Sequence, residues 1–304
     1  MGLKKHQEPL SVGQQIKNLK RLNLFIEDEA AAIRFLNNVS YYRFIKAYSL
    51  GLKPKNGSYY DGVTFDQLVE LYLFNSDLRQ MLFPLIESVE INLRCQVSNY
   101  ICNTYGVLGY KEPGNFTDVA HHAAFLWDAE SETFRNKNAP FVKNFLNNYE
   151  NGDIPFYALV EILSFGTLSK FYKNMKNPDK KQVASAYGIG YTYLESWIES
   201  IAYVRNICAH YGRLYNAKLT KTPKLYRQDI EQGAVNNRIF GVLCCMKHLF
   251  TNNERWIEFL DGMEALFGKY PHARACLKNH SRDLHSPLCG EFIPNLVNIA
   301  RYDS

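Results

Sequence analysis

The sequence predicts an all-α fold. Apolar residues recur every three or four positions over most of the chain, which is the period of an amphipathic helix. Alternation of apolar and polar residues, the pattern of a half-buried strand, is confined to short stretches. The 304 residues are 46% hydrophobic and 21% charged, so the chain has ample apolar material to bury a core. We therefore expect a globular, helical protein.

The N-terminal helices are predicted from their first residues. Ser11 and Asp28 each precede an apolar-periodic segment, and their side chains can accept hydrogen bonds from the first turn of a helix. Pro54 and Gly57 predict a turn after these helices.

A long helix is predicted to follow that turn. Thr64 opens it, and apolar residues lie on one broad stripe as far as Val97. Pro84 lies inside this segment and predicts a kink, because an interior proline removes a backbone donor and clashes with the preceding turn.

Further helices are separated by breaks rich in glycine and proline. One segment covers residues 156–175, with Gly166 expected as a bend or a place of close helix approach, and another covers 179–187. The next helix should begin at Thr192, since Thr192-x-x-Glu195 has the form of a capping box. It should end near Gly212, a residue type typical of helix C-termini. The stretch from about residue 270 is less regular.

The expected organisation is a helical core with additions at both ends. We place an N-terminal helical segment at 1–60, the core at 61–252 and a C-terminal extension at 253–304, although the whole could form one compact unit. The sequence contains no internal repeat or long linker.

Composition and segment lengths exclude several classes of protein. No window approaches the roughly 20 apolar residues of a membrane span, and the first residues lack the apolar core of a signal peptide. We therefore expect a cytoplasmic protein with no membrane partner. The seven cysteines form no C-x-x-C pair and no regular framework, so we interpret them as reduced and mostly buried thiols.

The positive charge is concentrated in two parts of the chain. The formal net charge is +5, but residues 201–250 alone carry +6 and residues 1–50 carry +4. Between Arg205 and Gln228 there is no acidic residue, and tyrosines are interleaved with the basic ones. Basic groups contact phosphates and aromatic rings stack on unpaired bases, so this segment is a candidate for RNA binding; the alternative is a solvated basic loop. The candidate RNA-binding residues are Tyr211, Arg213, Lys218, Lys221, Lys224 and Arg227.

Arg205 is unusual because it falls on the apolar face of its predicted helix. At 100° per residue, Leu194, Trp197, Ile198, Ile201, Val204 and Cys208 form one buried stripe. Arg205 falls inside that stripe, and a buried arginine is costly without a partner. One interpretation is a structural ion pair with Glu87, Glu90 or Glu161.

The other interpretation is a site for negative charge. The planar guanidinium of Arg205 could receive a phosphate, and a structural carboxylate could hold it in position for that role. His210, at the polar end of the same helix, is a candidate for proton transfer, although a histidine there can also act only as a helix cap.

The segment Arg205-Asn206-Ile207-Cys208-Ala209-His210 resembles the Arg-x-x-x-x-His motif of the HEPN superfamily of α-helical ribonucleases. Four longer blocks are similar to the Abi-like abortive-infection family, the AbiD/AbiF group of bacterial phage-defence proteins. They are PLSVGQQIKNLKRLNLFIEDEAAAIRFLNNVSYYRF (9–44), FDQLVELYLFNSDLRQMLFPLIESVEINLR (65–94), PFYALVEILSFGTLSKFYKNM (155–175) and SWIESIAYVRNICAHYGRLYN (196–216).

This resemblance implies a HEPN-type helical bundle that acts as a metal-independent endoribonuclease toxin, with no cofactor. By analogy, Arg205 and His210 carry out cleavage and Asn206 supports them. His210 would be the general acid or base, and Arg205 would stabilise the phosphorane. The alternatives are a non-catalytic RNA-binding protein and a toxin silenced by a small non-coding antitoxin RNA.

The single motif also predicts a homodimer. Arg205 and His210 lie about 140° apart on a regular helix, and we find one such motif in the chain. HEPN ribonucleases are thought to build their site from two facing motifs, so two copies of the 192–212 helix should meet at a twofold axis.

Other candidate sites have less support. Arg94 has no histidine four to six residues later, so we expect a structural ion pair or, second, an RNA contact. His121 and His122 lack metal-ligand neighbours, so we expect no zinc site, and the adjacent Cys244 and Cys245 should belong to the core. A phosphate-binding loop of the Walker type and a G-x-S-x-G elbow are absent from the sequence.

Overall fold

The computed structural model describes residues 8–250 and 254–273, and over these residues the protein is all-α, as predicted. Short 3₁₀ turns lie at Gly109–Lys111, Pro113–Asn115 and Glu150–Gly152. The α-helices are α1 (Val12–Arg21), α2 (Glu29–Asn38), α3 (Tyr41–Tyr48), α4 (Phe65–Tyr105), α5 (Val119–Arg135), α6 (Pro140–Asn148), α7 (Phe156–Ile162), α8 (Phe165–Asn174), α9 (Asn177–Ser185), α10 (Tyr191–Ala209), α11 (Arg227–Glu231), α12 (Ile239–Lys247) and α13 (Glu254–Lys269).

The described residues form two compact units. The first contains residues 8–78 and 262–273, and the second contains residues 79–250 and 254–261. The sequence-based division after residues 60 and 252 stays a prediction.

Aromatic side chains make the centre of the first unit. The ring of Phe44 is fully buried, with its centroid 4.8 Å from that of Phe35 and 5.4 Å from that of Phe65. The end of α13 joins the same unit, since Phe267 packs against Phe74 at 5.4 Å.

The core of the second unit is also rich in aromatic rings. Phe171 of α8 lies at its centre, 4.7 Å from both Phe156 and Phe125 and 5.2 Å from Phe116. Trp197 of α10 is completely buried.

The predicted starts of three helices are confirmed. The Ser11 side chain caps α1 within a complete capping box, and Asp28 Oδ1 accepts the Ala31 N–H at 2.8 Å. Thr64 and Gln67 exchange reciprocal hydrogen bonds at the start of α4. Helix α4 continues through Pro84 as one element from Phe65 to Tyr105, so the proline does not end it.

The segment predicted as one helix over 156–175 is two helices. α7 ends at Ile162, and the chain turns by 111° before α8. Gly166, expected to be a bend or a place of close helix approach, does not make the turn. Ser164 makes it, because its backbone is extended and its hydroxyl accepts the Thr167 N–H at 3.0 Å. The capping serine therefore fixes the break two residues before the glycine.

The described residues include no single helix that is long and apolar enough to cross a membrane. Only the bent pair Glu150–Ile162 and Phe165–Asn174, taken together, has the length and apolar composition of a span among these residues. Its apolar residues Phe156, Leu159 and Leu168 are buried in the core of the second unit.

Candidate functional site

Helix α10 carries the predicted motif and is held by its buried stripe. All six predicted stripe residues are buried, and α10 contacts α8, α9 and α12 of the same unit. The predicted capping box is wrong: α10 begins at Tyr191, after Gly190, without a side-chain cap. Glu195 instead accepts a hydrogen bond from the buried Lys180 ammonium at 2.8 Å, and this charged partner competes with the backbone for the carboxylate.

The end of α10 is a Schellman turn that positions His210 as the C-cap residue. The Gly212 N–H donates to the Ile207 carbonyl at 2.7 Å, and the Tyr211 N–H donates to the Cys208 carbonyl at 3.2 Å. The left-handed position is taken by Tyr211, with φ of 57°, so the conformational role predicted for Gly212 falls on its neighbour.

Gly212 is required at this turn for a different reason. A Cβ atom there would lie 2.8 Å from Ile207 Cγ2 and 3.1 Å from the Ile207 carbonyl oxygen. The close approach of the chain to the last turn of α10 therefore excludes a side chain at position 212.

Arg205 faces helix α4. Its Nε lies 3.7 Å from Glu90 Oε2, and its guanidinium lies 5.7 Å from the centroid of the Phe83 ring. Among the predicted partners, Glu90 is the one that pairs with it. The side chain keeps 37% of its surface exposed, but Nε is buried without a hydrogen-bond partner. One face of the guanidinium is thus fixed by the protein, and the exposed part can receive an anion.

Glu90 is shared between two arginines. Its Oε1 accepts a hydrogen bond from Arg94, whose guanidinium also donates to the Val160 carbonyl and, at 2.7 Å, to the Leu163 carbonyl. Arg94 and Glu90 are both buried. This confirms the structural ion pair predicted for Arg94.

The three motif residues do not all leave α10 on the same side. Arg205 turns to α4, Asn206 lines a cleft beside α8, and His210 is exposed at the C-cap. The His210 N–H donates to the Asn206 carbonyl at 3.0 Å.

Three of the basic residues after the motif are engaged with the protein itself. Arg213 donates to the Tyr215 carbonyl at 3.0 Å, and Arg227 pairs with Glu231 at 2.8 Å. Lys221 donates to Glu199 at 2.6 Å, and that hydrogen bond lowers the pKa of the Glu199 carboxyl.

The other predicted RNA-binding side chains, Tyr211, Lys218 and Lys224, are exposed. The main chain at Lys224 is anchored, because its carbonyl accepts the Trp197 Nε1–H at 2.6 Å and its N–H donates to Ser196 Oγ at 3.0 Å. The segment is therefore an ordered basic surface fixed to α10.

A cleft of about 560 Å³ opens beside α10 in the second unit. Its walls come from segments far apart in the chain, so the sequence does not predict it: they are the start of α5, one face of α8, one face of α10, and Lys221. One feature of the sequence indicates part of it: Lys170 and Lys173 are one helical turn apart and therefore lie on the same face of their helix.

Among the described residues, no group of three His, Cys, Asp or Glu side chains could hold a metal ion. His122 is buried, and its Nε2 bonds with the Tyr110 carbonyl at 2.8 Å. Cys244 and Cys245 are buried, which confirms them as core residues, whereas Cys95 is exposed.

The all-α second unit thus carries a guanidinium, an amide and an imidazole at the end of one helix, beside a basic surface. A family model described as Abi-like protein matches residues 34–216, and the chain belongs to this family. This membership suggests a role in abortive-infection defence. A family of unknown function (DUF6783) matches residues 277–304, which lie outside the described part of the chain. No curated protein and no solved structure matches the sequence.

Proposed function

We propose that the protein is a metal-independent endoribonuclease of HEPN type that acts as a toxin in abortive infection. The observation that carries the proposal is the placement of Arg205: Glu90 and Phe83 hold one side of the guanidinium, and the rest is exposed five residues before His210. The basic segment that follows supplies cations for the RNA backbone.

The residue types match RNA cleavage by internal attack. The 2′-oxygen of a ribose would form a bond to the adjacent phosphorus while the bond to the 5′-oxygen breaks. His210 would act in the proton transfers, from the 2′-hydroxyl or to the leaving 5′-oxygen, and Arg205 would stabilise the phosphorane charge. Asn206 would orient the phosphate or its partners. The products are a 2′,3′-cyclic phosphate and a 5′-hydroxyl.

A homodimer supplies the second motif that one chain lacks. Arg205 and His210 lie on different sides of α10, so we infer that the arginine of one protomer works with the histidine of the other. The exposed end of α10 is then part of an isologous interface.

The experiment that tests this function is incubation of the full chain with a mixed single-stranded RNA pool in EDTA. The expected result is fragments that end in 2′,3′-cyclic phosphate and 5′-hydroxyl groups. An RNA with 2′-deoxyribose at a mapped cut position should resist cleavage there. Cleavage at that deoxyribose, or cleavage that stops in EDTA, would contradict the mechanism.

The second candidate function is RNA binding without cleavage, and the ordered basic surface favours it. Tight, salt-sensitive binding with no fragments in the same experiment would select this alternative. A toxin silenced by a small antitoxin RNA would retain nucleic acid on purification, and the absorbance ratio would show it.

A further inference from the structure

The cleft beside α10 continues from the proposed catalytic motif. Asn206 lines it, and Glu199, Ala202 and Tyr203 extend the same wall along the preceding turns of α10. This spacing of three and four residues places them on one helix face. A ligand in the cleft would therefore lie next to the motif.

The rim of the cleft carries lysines from two separate elements. Lys173 Nζ of α8 and Lys221 Nζ of the basic segment lie 3.9 Å and 2.6 Å from the carboxylate of Glu199. Two ammonium groups thus share one carboxylate. Asp118, the other acidic residue of the lining, is occupied as the N-cap of α5, where its Oδ1 accepts the His121 N–H at 2.8 Å. Lys170, one turn away, adds a further cation, held 3.9 Å from Asp128. This arrangement suits a phosphate.

The interior of the cleft suits a flat, partly apolar group. Gly166 and Ser169 of α8 face Ala202 of α10, and these small residues leave room between the helices. A Cβ atom at Gly166 would find only Ser164 Oγ, at 3.7 Å. The half-buried Tyr203 supplies an aromatic wall on which a base can stack.

We propose that this cleft binds one unpaired nucleotide of the RNA substrate, next to the position of cleavage. The volume of about 560 Å³ lies in the range of small-ligand pockets, roughly 300 to 1,000 Å³. The base enters between Gly166 of α8 and Tyr203 of α10, and its phosphate contacts Lys173 and Lys221. A duplex keeps its bases stacked inside, so the cleft selects single-stranded RNA.

This inference rests on the proposed function, so the test measures binding apart from cleavage. The full chain carrying His210→Ala binds a fluorescein-labelled single-stranded RNA of mixed sequence, followed by anisotropy over a range of salt. Adding Lys173→Ala and Lys221→Ala together should weaken binding at least about 10-fold and lower the salt slope by about 1.4, or about 0.7 per phosphate contact. Lys143→Ala, an exposed lysine on α6, is the matched control and should leave binding unchanged.

A second variant tests whether the interior of the cleft must stay open for RNA to bind. Gly166→Leu should weaken binding of the single strand with little change in salt slope, because it fills the cleft without removing charge. Gly166→Ala should bind like the parent. Circular dichroism checks that each variant keeps its helices.

The outcomes separate the two proposals. Three results would overturn the proposal that the cleft binds an unpaired nucleotide. They are equal binding by the double variant and the Lys143 control, equal affinity for single-stranded and duplex RNA, and no RNA binding at all. If the double variant loses binding while the wild type fails to cleave RNA, nucleotide binding in the cleft is supported and the ribonuclease function is contradicted.

Discussion

At the scale of single residues, Glu90 has the largest structural consequence for the proposed chemistry. One buried carboxylate faces the guanidinium groups of both Arg94 and Arg205. The first pair is interior, and the second leaves Arg205 partly exposed. Glu90 therefore couples the stability of the second unit to the position of the proposed stabilising cation.

Replacing Glu90 by Gln should reduce both stability and activity. The Arg94 guanidinium would stay buried without its counter-charge, at a cost of about 3 kcal/mol in the free energy of unfolding. Urea denaturation measures this loss, with Glu161→Gln, an exposed carboxylate on α7, as the control. A Glu90→Gln protein as stable as that control would refute the shared-carboxylate account.

Cysteine reactivity provides a second residue-scale prediction. Burial raises the pKa of the Cys208 thiol to about 11, although Arg79 and Arg205 oppose the shift. Because the thiolate is the reactive form, alkylation of Cys208 near neutral pH should be at least about 100-fold slower than that of an ordinary thiol. Peptide mapping after brief iodoacetamide treatment should find the exposed Cys95 labelled first. Equal labelling of Cys95 and Cys208 in folded protein would contradict the burial.

At the scale of elements, the end of α10 controls where His210 lies. The turn depends on a tyrosine in the left-handed region and on the absence of a side chain at Gly212. The left-handed conformation costs a non-glycine residue roughly 1–2 kcal/mol, and the hydrogen bonds of the turn offset this cost at Tyr211.

The substitution Gly212→Ala should destabilise the protein by about 1–3 kcal/mol, because the new methyl group meets Ile207. The same change at Gly13, in the first turn of α1, has open space around it and should stabilise by about 0.5 kcal/mol. Thermal unfolding compares the melting temperatures of the two variants with that of the wild type. Changes of the same sign would argue against the close approach of Gly212 to Ile207.

Much of this local structure follows from sequence patterns, and the exceptions have physical causes. Caps at Ser11 and Asp28 and the buried stripe of α10 are predictable because they depend on neighbours three or four residues away. The capping box predicted at Thr192 does not form, because Glu195 accepts a hydrogen bond from Lys180, a residue of another helix. The cleft was missed for the same reason, since α5, α8 and α10 meet only in three dimensions.

At the scale of the whole molecule, the proposed dimer follows from one motif on one helix. Arg205→Ala and His210→Ala chains should each be inactive alone. After subunits are exchanged, half of the dimers combine one intact Arg205 with one intact His210, so activity should recover to about a quarter of the wild-type value. Verified exchange without recovery would show that the two residues do not act across the interface.

The most direct measurement of the central claim is the initial rate of single-stranded RNA cleavage in EDTA by the wild type and by the motif variants. Arg205→Ala and His210→Ala should each lower the rate by at least about 100-fold, because one removes charge stabilisation and the other removes proton transfer. Arg135→Ala and His272→Ala, at exposed positions outside the motif, should cleave like the wild type. Equal rates for the motif variants and these controls would contradict the assignment of Arg205 and His210 to catalysis.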